Sequence, residues 1–182
     1  MLFKKEGSPY SFLDLKMGTD TVLRSKDSSS YQKFASRDQN TTTAKYGFRL
    51  MGFTRFGAGG KKEDSRVDDF AIICGRKYVK GVLRAMLSDY DGSLVGEVVE
   101  VLVGKLRELY GFLNSGVRGK KLMNTSLFFV FDRGQYKIPN IDAIVDVKMI
   151  DIGHMETLKT EKDEGYLEGL RNLITLILSL KH

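Results

Sequence analysis

The sequence predicts an α+β fold, with an antiparallel or mixed sheet and helices packed around it. Three observations carry this expectation. Phe12 to Met17 alternates: Leu13, Leu15 and Met17 fall on one face, and Asp14 and Lys16, followed by Gly18, fall on the other. That is the period-2 pattern of a strand with one face in a core. Leu94, Val98, Leu102, Leu106, Leu109 and Leu113 recur at helical spacing across Ser93 to Asn114, which marks a long helix with an inward stripe. Asn124 to Asp132 is dominated by β-formers, Leu127 to Phe131 at its centre.

The 182 residues make one domain's worth of chain, and 42% hydrophobic content is enough for a sizeable core. Cys74 is the one cysteine. It can form no intramolecular disulfide and, inside the apolar run from Phe70, reads as a buried inert thiol. No stretch reads as a signal peptide or a membrane span, and the most apolar segment, Leu173 to Leu180, is too short to cross a bilayer. A cytosolic or nuclear protein is the simplest expectation. The net charge of +6 is uneven: residues 1–80 carry +7 and residues 81–182 carry −1. A basic first half implies an anionic partner, whether nucleic acid, anionic lipid or a small polyphosphate. No zinc-finger, Walker or RNA-binding signature favours nucleic acid.

The remaining elements follow in order. Met1 to Gly7 reads as an irregular lead-in, and Thr19 to Ser28 as a polar loop. Ser29 to Tyr46 is predicted as one helix, with Ser28 to Ser30 as N-cap candidates and Thr41 to Thr43 weakening its end. Gly47 to Phe53 is a strand. Gly57 to Lys62 is glycine-rich and basic, but it lacks Walker spacing and reads as a surface loop. Val67 to Cys74 reads as a buried strand, Gly81 to Asp89 as a short helix, and Gly116 to Lys121 as a basic loop. Arg133 to Ile141 is a loop and Ala143 to Ile152 a further strand. Asp151 ends that strand, where a buried carboxylate would need a cation or donor. Glu156 to Lys162 is a charged loop. A last helix runs from about Asp163 to Leu180, with Tyr166, Leu170, Leu173 and Ile177 inward.

The outer face of the first strand carries chemistry. A carboxylate at Asp14 can orient or accept a hydroxyl proton, and Lys16 can neutralise a phosphate. Gly18 lets a bulky ligand approach the main chain. Taken alone, these residues also describe an ordinary strand with a solvated Asp–Lys face. Lys33, Arg37 and Lys45 on the predicted helix likewise read as a solvated face.

Read with the later segments, Ser8 to Thr19 resembles the inositol polyphosphate kinase family, whose signature is PxxxDxKxG. Asp14, Lys16 and Gly18 match its DxKxG half. Pro9 lies five residues before Asp14, where the family has its proline four before, and Tyr10 holds that position. The form Asp14-Leu15-Lys16-Met17-Gly18-Thr19 is similar to members that phosphorylate inositol hexakisphosphate. Gly47, Arg49 and Gly52 match a G-x-R-x-x-G strand. Ser126 and Leu127 match a serine-leucine-leucine segment, with Phe128 replacing the second leucine. Ile150-Asp151-Ile152-Gly153-His154 matches an I-D-F-A-H segment with Asp and His kept. Asp163, Gly165, Tyr166, Gly169, Leu170, Leu173 and Ile174 match the family's C-terminal helix.

The resemblance implies ATP-dependent phosphoryl transfer to an inositol polyphosphate, with ATP and Mg²⁺ as cofactors. It implies that Asp151 holds the metal with support from Ser126, and that Asp14 orients the acceptor oxygen. Lys16 would hold substrate phosphate, and Lys33, Arg37 and Lys45 would form an outer anion funnel. His154 by itself reads as a hydrogen-bonded structural residue. The family has two lobes, and the smaller amino-terminal one supplies an ATP-contacting lysine and a hinge. Only 13 residues precede Asp14, so residues 1–182 are expected to form the large catalytic lobe alone, with the small ATP lobe absent. Three readings stay open: a fragment of a complete kinase, a minimal kinase using the large lobe alone, or a non-catalytic inositol polyphosphate binder.

Overall fold

The computed structural model describes residues 10–21, 28–57, 60–66, 75–135, 144–158 and 162–182. In chain order the elements are β1 (Ser11–Met17), α1 (Ser28–Asn40), α2 (Thr42–Tyr46), β2 (Phe48–Phe56), β3 (Lys62–Arg66), α3 (Arg76–Met86), α4 (Gly96–Gly116), β4 (Lys120–Leu122), β5 (Ser126–Phe131), β6 (Val145–Ile150), β7 (Met155–Thr157) and α5 (Glu164–Leu178). Five strands form one sheet in the order β3-β2-β1-β5-β6. Every neighbouring pair is antiparallel. β4 and β7 pair separately as a short antiparallel ribbon. The fold is α+β, as the sequence predicts, and its sheets are wholly antiparallel.

β1 is the central strand because its alternation suits a sheet with one buried face. Leu13, Leu15 and Met17 are fully buried and meet Phe129 and Leu127 of β5 and Leu50 and Phe48 of β2. The core lies between this face and the helices. Val98, Leu102, Leu106 and Leu113 of α4 and Tyr166, Leu170, Leu173 and Ile177 of α5 complete it. A bulge in the β1–β2 pairing falls between Asp14 and Leu15, because Asp14 faces Gly52 whereas Leu15 faces Leu50. The extra residue, Met51, keeps Leu15 and Leu50 together in the core while Lys16 and Arg49 share the outer face.

Several expected boundaries are corrected. The single helix Ser29 to Tyr46 is two, α1 and α2. Thr41 is extended, and its hydroxyl accepts from the Thr43 amide at 3.3 Å, so it caps a new helix instead of continuing the old one. Lys62 belongs to the edge strand β3, not to a loop. Lys-Glu-Asp-Ser-Arg has no apolar alternation to announce it, as is common at edges. The helix placed at Gly81 to Asp89 starts earlier, at Arg76, with Val79, Val82, Leu83 and Met86 inward. The helix expected from Ser93 begins at Gly96, because the Asp89 carboxylate caps the amides of Asp91 and Ser93 in a turn. Parts of the two loops Gly116 to Lys121 and Glu156 to Lys162 pair with each other as β4 and β7. β6 ends at Ile150, so Asp151 lies outside the strand. The last helix matches its expectation, with Asp163 as N-cap accepting from the Tyr166 amide at 3.1 Å. The expected strand Val67 to Cys74 lies outside the described residues, as do Met1 to Pro9 and most of the loop after Gln135.

Candidate active site

The outer face of β1 is not the solvated surface that alternation alone suggests. Lys16 is only 11% exposed along its side chain. Its Nζ donates to the Asn124 carbonyl at 2.7 Å and to Asp151 Oδ2 at 3.3 Å. Asn124 follows β4, and Asp151 follows β6. Both have left-handed backbones, φ 56° and 58°, the only such non-glycine residues among those described. Asn and Asp tolerate this region better than most residues, but it remains strained. Asp151 itself is 62% exposed, so its expected burial at an apolar strand end is corrected: it stands in solvent, tethered by Lys16.

Asp14 is half-buried two residues before Lys16, beside the bulge. Its Oδ1 is buried and has no hydrogen-bond partner among the described residues. Burial raises its carboxyl above the ordinary value, and the nearby Asp151 charge adds to the rise. The adjacent Ser126 hydroxyl, Lys16 and Arg49 pull the other way. Ser126 pairs with Lys16 across β1–β5. It is fully buried, and its Oγ reaches no partner in hydrogen-bond geometry. Asp14, Lys16, Ser126 and Asp151 therefore meet in one place.

Close backbone packing fixes the end of β1. The Gly18 amide donates to the Gly47 carbonyl at 2.9 Å. A Cβ on Gly47 would come within 2.6 Å of Gly169 Cα, and one on Gly165 would overlap the Thr19 hydroxyl. The two α5 glycines thus let the helix seat directly against the turns at Gly18–Thr19 and Gly47.

A second cluster supports the same face. Arg49 Nη1 donates to Asp38 Oδ1 at 2.8 Å, to Thr43 Oγ1 at 2.9 Å and to Thr21 Oγ1 at 3.2 Å. The Thr21 amide donates to Asp38 Oδ2 at 2.6 Å. Arg49 and Asp38 are 3% and 6% exposed along their side chains. Burial, then the neighbouring Arg37, push the Arg49 guanidinium down to about 10, with Asp38 opposing. It stays charged at neutral pH. Asp38, Thr21 and Asn124 were not singled out by the sequence; the arginine of the G-x-R-x-x-G match was the one available signal.

The other expected residues lie on α1, on α2 and in the turn between β6 and β7. Lys33 is exposed on α1. Arg37 is half-buried one turn later, stacked 4.5 Å over the Phe34 ring and lowered in pKa by that burial, with Asp38 opposing. Lys45 is exposed on α2, 5.5 Å over the ring of Tyr46, which packs against the core. Lys33 and Arg37 thus sit on the helix that carries Asp38, whereas Lys45 sits on the separate helix α2. His154 is exposed, and its carbonyl accepts from the Met123 amide. A cavity of about 600 Å³ opens between β2 and α3, but Asp14, Lys16, Ser126 and Asp151 are absent from its described lining.

Among the described residues no group of three or more His, Cys, Asp and Glu side chains could hold a metal. That excludes an all-protein cage there, not Mg²⁺, which takes one or two carboxylates with waters and phosphate oxygens. The exposed Asp151 carboxylate, with Asp14 nearby, fits that donor set.

A profile of the family described as inositol polyphosphate kinase matches residues 3–178. The chain belongs to this family. Two inositol phosphate multikinase structures share its fold. One aligns with a TM-score of 0.75 at 22% identity, over 96% of this chain and 81% of its own. The other, Ipk2 from S. cerevisiae in complex with ADP and Mn²⁺, aligns with a TM-score of 0.71 at 17% identity, over 95% and 79%. No curated protein matches the chain by sequence. The family is one of phosphotransferases, and no helix among the described residues is long and apolar enough to cross a membrane.

Proposed function

We propose that this inositol polyphosphate kinase family member transfers the terminal phosphoryl group of ATP to an inositol polyphosphate. The convergence of Asp14, Lys16 and Asp151 in one place, with the Asp151 carboxylate open to solvent, carries the reading. Phosphoryl transfer needs little covalent help; it needs in-line placement and neutralised charge. The acceptor oxygen forms the new bond to phosphorus as the bond to the ADP oxygen breaks. Asp14 orients that acceptor oxygen and takes its proton when the acceptor is a hydroxyl. Its raised pKa makes it a better base than an ordinary carboxylate. Lys16 holds phosphate oxygens and offsets developing charge. Lys33, Arg37 and Lys45 attract the polyanion from α1 and α2. Asp151, with Ser126 behind it, would hold Mg²⁺, which when bound supplies charge neutralisation to the nucleotide phosphates. The chain acts in this reading as a single catalytic lobe, residues 1–182.

The test is an ATP-dependent phosphorylation assay on a panel of inositol phosphates, run with Asp14→Asn and Asp151→Asn. Transfer by the wild type that is lost in both variants supports the reading and names the acceptor. Calorimetric binding of inositol hexakisphosphate without transfer would instead make the chain a binder.

A further inference from the structure

The site contains one feature that the transfer reading does not use. Lys16 grips the carboxylate proposed to take the divalent cation. Its ammonium lies 3.3 Å from Asp151 Oδ2 and 2.7 Å from the Asn124 carbonyl. These two partners are also the two left-handed non-glycine residues among those described. One ammonium therefore bridges two strained positions that lie at the mouths of the β4–β7 ribbon.

We infer that Lys16 is a resident counter-ion at the cation position of Asp151, and that divalent-cation binding there releases its ammonium toward the substrate phosphate. The inference rests on the reading of Asp151 as the metal carboxylate. Three physical points carry it. First, an ammonium on Oδ2 and a Mg²⁺ ion at its usual ~2.1 Å cannot share the same oxygen without strong like-charge repulsion. An ion that takes Oδ2 displaces the single charge from it. Second, the lysine has somewhere to go. Its four-carbon stem is flexible, and the Asn124 carbonyl can hold it as it turns. Third, the exposures are asymmetric. Asp151 is 62% exposed and can be reached from solvent, whereas Lys16 is 11% exposed and becomes accessible only when its grip opens.

The consequence is an ordered site. Without a divalent cation the phosphate-binding ammonium is held on a carboxylate. With the cation it is free, so metal loading and phosphate binding reinforce each other.

The experiment reads lysine accessibility, not turnover. The full chain is treated with a water-soluble acetylating ester in chelator and in millimolar MgCl₂, and acetylation is followed lysine by lysine by peptide mass spectrometry. Mn²⁺ binding to wild type and Asp151→Asn is measured in parallel by electron paramagnetic resonance. The inference expects Lys16 acetylation to rise several-fold with Mg²⁺ while Lys33 and Lys45 stay constant. It also expects Lys16 in Asp151→Asn to be fast without metal and indifferent to it. Mn²⁺ binding that depends on Asp151, with Lys16 acetylation unchanged or reduced by Mg²⁺, would overturn the release while leaving the metal reading intact. Mn²⁺ binding that is absent, or unaffected by Asp151→Asn, would overturn both.

Discussion

Gly47 and Gly169 meet backbone to backbone, so closely that a Cβ on Gly169 would overlap the Gly47 carbonyl. The contact seats α5 against the turn whose Gly47 carbonyl also receives the Gly18 amide. Helix seating and the end of the DxKxG strand are thus one packing problem.

Gly169→Ala should therefore destabilise by about 1–3 kcal/mol through overpacking, because the atoms it meets are main chain and cannot swing aside. Gly104 sits inside α4 with nothing within 4 Å of an added Cβ. Gly104→Ala should stabilise by up to about 1 kcal/mol through helix propensity. Thermal unfolding of the two variants checks the contrast; equal shifts would refute the packing account.

Asp14→Asn should separate stability from activity. Burial raises the Asp14 carboxyl, so the folded state holds its proton more tightly than the unfolded state does. The stabilising contribution is fully present below the unfolded value and is lost as pH rises through the raised folded value. At neutral pH the wild type carries a half-desolvated charge that the amide lacks. Asp14→Asn should have the higher Tm at neutral pH, and the gap should close as pH falls through the folded-state pKa. Transfer should fall about 10²–10⁴-fold if Asp14 serves as base. Calorimetry across pH, paired with the kinase assay, reads both.

The Arg49–Asp38 pair should show strong coupling. Both side chains are nearly inaccessible, so removing one leaves a buried charge. Arg49→Met or Asp38→Leu alone should cost about 3–5 kcal/mol, and the double variant should cost much less than their sum. Urea unfolding of the three variants gives the coupling directly; additive costs would mean the pair is not a unit. The Arg49 pKa of about 10 lies above the working range, so this coupling should not vary with pH near neutrality.

Much of the fold was legible because its signals are local. Alternation over Leu13, Leu15 and Met17 named the core face of β1, and all three are fully buried. The stripes of α4 and α5 named their inward residues. The reading failed where local pattern is weak. β3 is a charged edge strand, β4 and β7 are three residues each, and Thr41 interrupts a helix by one hydroxyl. In those cases pairing or capping, not periodicity, decides the structure.

The candidate site divides along the same line. By itself the sequence determined that Asp14 and Lys16 share a strand face, because period-2 geometry requires it, whereas Gly18, expected on the same face, lies past the end of β1 with φ 100°. It also supplied the motif order that pointed to the family. Only the tertiary structure decided what Lys16 touches. Its partners Asn124 and Asp151 lie 108 and 135 residues away. They reach it because the β1–β5–β6 register stacks Lys16, Ser126 and Ile150 in one row. Their left-handed turns then leave the sheet beside that row. Such contacts depend on register and turn geometry summed over the whole sheet, and no local window of residues contains that information.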